Sequence, residues 1–174
     1  MVLAAALAAW VLLTRSPFPD QESPEVQAIR SAVLEYKEQD DERSVSVCNV
    51  KVLGFESAAG TPWKAYVALI CGNYTKIGDG LCHGADRADL DVYSLRSVDD
   101  QLAVVDLIGV HEFGDPERFF PPDIAALISR NDQRLWPPAD DLQERAEALL
   151  FGGEAADGNP EGGGEPPRCP SRYF

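Results

Sequence analysis

Few residues in this chain have the type and spacing that chemistry requires. Only two histidines occur, His83 and His111. His83 follows Cys82 in a glycine-rich stretch that also holds Asp79 and Asp86, and thiolate, imidazole and carboxylate are zinc-type donors. A zinc site normally takes a second donor pair at regular spacing, and His111 stands alone. The stretch therefore reads as a polar loop held by a disulfide, and no metal or other cofactor is expected. No GxSxG and no Cys–His arrangement offers a nucleophile with its base. Asp89, Asp91 and Asp106 fall on or near strands and are the residue type that general acid–base catalysis uses. Period two puts Asp89 and Asp91 on one face, opposite Leu90 and Val92, as on a solvent-facing edge. Asp106 differs because it lies inside LAVVDLIGV, where a buried carboxylate would need a partner. Asp106, His111, Tyr66 and Trp63 are the candidate pocket residues, and no catalytic residue is assigned. Tyr74 and Trp136 are further aromatics that could line a pocket, although core and sheet cover is the commoner use.

The four cysteines, Cys48, Cys71, Cys82 and Cys169, form an even set without CxxC spacing. That suits two disulfides in an oxidising compartment. Cys71–Cys82 closes a short loop and, with Cys48–Cys169 pinning the tail, is the preferred pairing. Its main rival is Cys48–Cys71, which adjacent strands would bring together, and four buried free thiols are the remaining alternative.

The compartment agrees with the chain's start. Residues 1–13 (MVLAAALAAWVLL) carry no charge and have no polar stripe. They are short for a bilayer-spanning helix and suit a signal-peptide apolar region or a membrane anchor. The missing basic flank suggests that the true N-terminus lies upstream of Met1. No Cys follows closely enough for a lipid anchor. The expectation is an extracytoplasmic protein, secreted or anchored in the cell envelope, with membrane contact only through this segment. Acidic residues outnumber basic ones by 29 to 15, for a net charge of -14. Such a surface repels polyanions, so nucleic acid is excluded as a partner. The remaining partners are an unidentified protein or small ligand.

The elements that position these residues come next. Residues 14–22 read as a linker broken by prolines, and 23–151 as one domain. Ser23 offers an N-cap, Pro24 an N1 residue and Glu25 a first-turn charge. Val26, Ile29, Val33 and Tyr36 then mark one helix face. Strands follow at 44–56, 63–75, 89–95 and 101–111. The breaks fall at Ala58–Pro62, at a glycine-bearing loop over Ile77–Ala85, and at Asp99-Asp100. The second strand is apolar on both alternating faces, the pattern of a central strand covered on both sides. A short helix over Asp123–Ser129 and another from about Asp140 to Phe151 close the domain, the latter with Leu142, Ala146 and Leu149 on one face. Residues 152–174, rich in Gly, Pro and Glu, read as a disordered tail. The fold class is α+β: an N-terminal helix packed on a curved antiparallel sheet of about four strands, followed by two short C-terminal helices.

The motifs Trp63-Lys64-Ala65-Tyr66-Val67 and Gly114-Asp115-Pro116-Glu117-Arg118-Phe119-Phe120-Pro121, in this order of elements, resemble small secreted bacterial proteins of unknown function. Those proteins have a cystatin-like or NTF2-like α+β fold. The resemblance spans about residues 24–130 and implies a bacterial source, where the glycosylation-type pattern Asn73-Tyr74-Thr75 would mean nothing. Cystatins inhibit cysteine proteases through QxVxG and Pro-Trp hairpins. Pro62-Trp63 is present here, but Val52-Leu53-Gly54 lacks the Gln and the spacing, so protease inhibition is not expected. The leading expectation is a non-enzymatic envelope domain, an interaction or small-ligand-binding module. The alternative is an enzyme of NTF2-like type, with Asp106 or His111 acting in the concavity between helix and sheet.

Overall fold

The computed structural model describes residues 17–38, 43–78, 80–109, 115–152 and 168–169. The apolar segment 1–13, Asp79, His111 and most of the tail lie outside the described residues.

Helix α1 (Pro24–Lys37) starts as its sequence dictates, with the Ser23 hydroxyl accepting the Val26 N–H, Pro24 in the first turn and Glu25 beside it. Its buried stripe is Val26, Ile29, Ala32 and Val33. Four strands follow: β1 (Ser44–Ala58), β2 (Thr61–Ile77), β3 (Gly80–Val98) and β4 (Gln101–Gly109). They form an antiparallel meander in the order β1-β2-β3-β4. Two of the hairpins turn on residue pairs with positive φ, Ala59–Gly60 and Asp99–Asp100. Such turns match the twist of the flanking strands. A 3₁₀ turn at Pro116–Arg118, helix α2 (Pro122–Ser129), a second 3₁₀ turn at Gln133–Leu135 and helix α3 (Leu142–Phe151) complete the order.

Helices cover both faces of the sheet. Val26, Ile29 and Val33 of α1 pack on Val50, Val52, Val67, Leu69 and Tyr93. On the reverse face, Ile124, Ala125 and Leu127 of α2 and Leu135 pack on Leu53, Tyr66, Ala68 and Val92. Leu142 and Ala146 of α3 cover Val45, Val47 and Tyr74 at the other end of that face. Leu149, expected on the same stripe, is half exposed. Strand β2 is consequently buried on both sides over Ala65–Leu69. Its unbroken apolar sequence is the direct cause.

Strand β3 begins much earlier than expected. Residues 80–83, read as loop, pair with β2, as does Asp86 beyond an irregularity opposite Gly72 and Tyr74. This corrects the disulfide pairing too. The register sets Cys48 directly opposite Cys71, whereas Cys82 lies opposite Thr75, four residues away along β2. The bonds are Cys48–Cys71 and Cys82–Cys169, not Cys71–Cys82 and Cys48–Cys169. Both suit an oxidising, extracytoplasmic environment. No helix among the described residues is long and apolar enough to cross a membrane.

The free edge of β1 is closed by side chains. Gln21 accepts from the Val52 N–H and donates to the Val52 carbonyl, copying a strand partner with its amide. Glu38 accepts the Cys48 N–H, and Arg145 of α3 donates to the Cys48 carbonyl and pairs with Glu38. Residues 17–22, within the stretch read as a linker, thus lie against the sheet, with Phe18 in the α2-side core. An unpaired strand edge is a template for aggregation, and these contacts occupy it at Val52 and Cys48.

Candidate functional site

The carboxylates are arranged differently from the sequence expectation. Asp91, expected toward solvent, is buried at 1% exposure under the end of α1. Its Oδ2 takes the Lys37 ammonium at 2.9 Å and the Tyr93 hydroxyl at 2.8 Å. The physical reason is that β3, like β2, is covered on both faces over Leu90–Leu95, so period two there sorts its side chains between two cores rather than between core and water. Burial, and then the Asp91 charge, push the Tyr93 phenol well above its ordinary range. Asp89, one repeat away, is held by Arg87. That hydrogen bond raises the Arg87 pKa further. Asp106 pairs with Ser94, in phase with Val92, and is exposed on the face opposite α1. Asp106 is therefore separated by the sheet from the helix–sheet concavity, which Val33 and Leu69 fill. Ile108 shares the Asp106 face and is partly exposed.

The polar stretch around His83, part of β3, is also closed chemistry. The Cys82 sulfur is consumed by the bond to Cys169, so it is not a thiolate ligand. His83 stacks on Tyr74 with ring centroids 5.0 Å apart, and its Nε2 lies 2.8 Å from Asp86. Gly72 makes room for this arrangement, because a Cβ there would stand 2.7 Å from the Tyr74 ring. Together with Asp140, Leu142 and Gln143, these side chains border a hollow of about 250 Å³.

The four aromatics do not share one pocket. Trp63 is 46% exposed near the β1–β2 turn, with Lys64 above its ring at 6.0 Å. Tyr66 is buried and borders a cleft of about 310 Å³ between β1 and the start of α2. Its hydroxyl donates to Glu56, and the Lys64 ammonium lies 5.1 Å from its ring and 3.6 Å from Glu56. Hydrogen bonding to Tyr66 and the Glu56 charge raise the Lys64 pKa. Burial, and then the hydrogen bond to Glu56, raise that of Tyr66.

Trp136 borders a groove of about 620 Å³ between β3 and the end of α2. Its walls are Leu90, Ile128, Leu135 and Trp136, with Ala88 and Pro116 at the rim and Ser129 and Asn131 as the polar lining. The groove exists because α2 stops at Ser129 and the chain reverses through Asn131, at φ 50°, before Leu135 returns to the core. Sequence inspection singled out Trp136 but not its companions. The usable signal was Leu135-Trp136, an apolar pair standing between polar NDQR and two prolines.

No family model, curated protein or solved structure was found to match this chain.

Proposed function

We propose that this chain is an exported, extracytoplasmic, non-enzymatic binding domain whose groove beside Trp136 takes a small apolar ligand. The groove carries the reading. Its volume falls in the range of small-molecule sites, and it joins apolar walls to two polar groups that would orient a ligand. The net charge of -14 disfavours an anionic ligand, which leaves neutral or cationic apolar molecules. Export is supported by the pairing of all four cysteines and by the apolar, uncharged residues 1–13. An enzyme acting in the helix–sheet concavity has less support, since Asp106 lies on the other face and Asp91 is already engaged by Lys37 and Tyr93.

The test is titration of the full chain with the neutral fluorophore N-phenyl-1-naphthylamine. Saturable binding is expected, weakened about tenfold or more by Ala88→Arg or Ile128→Arg, which put a charge into the groove from positions outside the fully buried core. Unchanged binding in both folded variants would overturn the assignment of the site. For the compartment, cell fractionation is combined with thiol alkylation of unreduced protein. Four reactive cysteines in a cytosolic fraction would refute export.

A further inference from the structure

We propose that the cleft beside Tyr66 is a second ligand site, independent of the groove, for an organic guanidinium cation on a short apolar stem. The cleft is built from four segments: Pro17 and Pro19 of the entering chain, the β1 segment ending at Glu56, Tyr66 of β2, and the start of α2 at Pro121 and Asp123. A bulge between Val52 and Gly54 shapes its floor. Gly54 carries no side chain there, so Ile124 and Tyr66 close in: a Cβ would lie 3.1 Å from Ile124 Cδ1. The walls are otherwise apolar, and the charged residues lining the cleft are Glu56 and Asp123, with no basic side chain among the described lining.

Two observations give the cleft its preference for a cation. First, its acceptors are only partly used. The Tyr66 hydroxyl and the Lys64 ammonium both approach Glu56 Oε1. Among the described residues no hydrogen bond reaches Glu56 Oε2 or the Asp123 carboxylate, so acceptor capacity remains on both. Second, the chain already rests an ammonium against two of the residues that line the cleft. Lys64 lies over the Tyr66 ring and against Glu56 without lining the interior. An aromatic face beside a carboxylate is a position where a cation is favoured. A planar guanidinium, with its fork of N–H donors and weak hydration, suits carboxylate acceptors on different elements better than an ammonium does. The chain's overall negative charge attracts it.

Calorimetric titration of the full chain with N-butylguanidinium tests this, with neutral N-butylurea as the isostere. Saturable binding of the cation in the micromolar to millimolar range is expected, with none for the urea. Glu56→Gln and Asp123→Asn should each weaken it about tenfold. Lys64→Met should strengthen it severalfold by removing the competing ammonium. Ala88→Arg should leave it unchanged, so the two sites fail or stand separately. No saturable heat, equal binding of the urea, or indifference to both carboxylate changes would overturn the proposal. Asp123 is solvent-exposed at a helix start, so its variant is readable even if Glu56→Gln perturbs the fold.

Discussion

Lys37 and Asp91 meet where the last turn of α1 crosses β3, and each answers a need of the other. Asp91 is fully enclosed, while Lys37 keeps 17% of its side chain in solvent. Removing one partner of a buried pair is costly because the other charge stays desolvated, whereas replacing both with apolar groups is often neutral. Lys37→Met should therefore lower the unfolding free energy by about 3 kcal/mol. Adding Asp91→Leu to it should recover most of that loss, with denaturant unfolding of the three proteins as the measurement. If the single change costs nothing, the pair does not hold α1 to the sheet. This residue also shows where sequence reading fails. Asp89 and Asp91 have the right phase, but phase alone does not say which face meets water when helices cover both. Asp106 reads as buried because its neighbours are apolar, yet β4 is a sheet edge and none of its apolar side chains is fully buried.

At the scale of elements, local signals were sufficient wherever a segment declares its own boundaries. The Ser23-Pro24-Glu25 start of α1, the two-sided apolar run of β2 and the Asp99–Asp100 turn are all written in contiguous residues. The first half of β3 is not, because glycine and charge over residues 80–88 imitate a loop, and its pairing is imposed by β2. The disulfides depend on that register and so were hidden with it. Cys82–Cys169 spans 87 residues and ties the tail to β3, where the Cys169 N–H also donates to the His83 carbonyl at 2.7 Å. Closing so long a loop restricts the unfolded chain by an amount worth up to about 4.6 kcal/mol on the chain-entropy account. The Cys82→Ala/Cys169→Ala double variant should lose about 3–4 kcal/mol of stability in denaturant titration while keeping its far-ultraviolet circular dichroism. A proteolytic map of the unreduced protein should join the Cys48 peptide to that of Cys71, and the Cys82 peptide to that of Cys169. Any other pairing would refute the register of β2 against its neighbours.

For the molecule as a whole, one sheet separates two cores, and β2 is the element that belongs to both. Unfolding either helical layer alone still leaves β2 covered on one face and hydrogen-bonded on both edges. Strand β4 has one neighbour, and Val105 and Ile108 remain partly exposed on it. Amide protection follows the free energy of the smallest opening that frees each N–H, so it should grade from edge to centre. The Val67 and Leu69 amides should exchange only through global unfolding, and those of Gln101–Gly109 through far cheaper local opening. Strand β1 breaks the symmetry of the two edges, because Gln21 and Glu38 hold its outward N–H groups at Val52 and Cys48. Those two amides should exchange more slowly than outward amides of β4, and Gln21→Ala should erase the difference at Val52 alone. Hydrogen exchange resolved by residue checks all three levels at once. Equal protection of β2 and β4 would mean that the sheet opens as a unit and that the two cores do not act separately. That outcome would also remove the reason to expect a ligand in the groove to protect α2 and β3 without protecting α1.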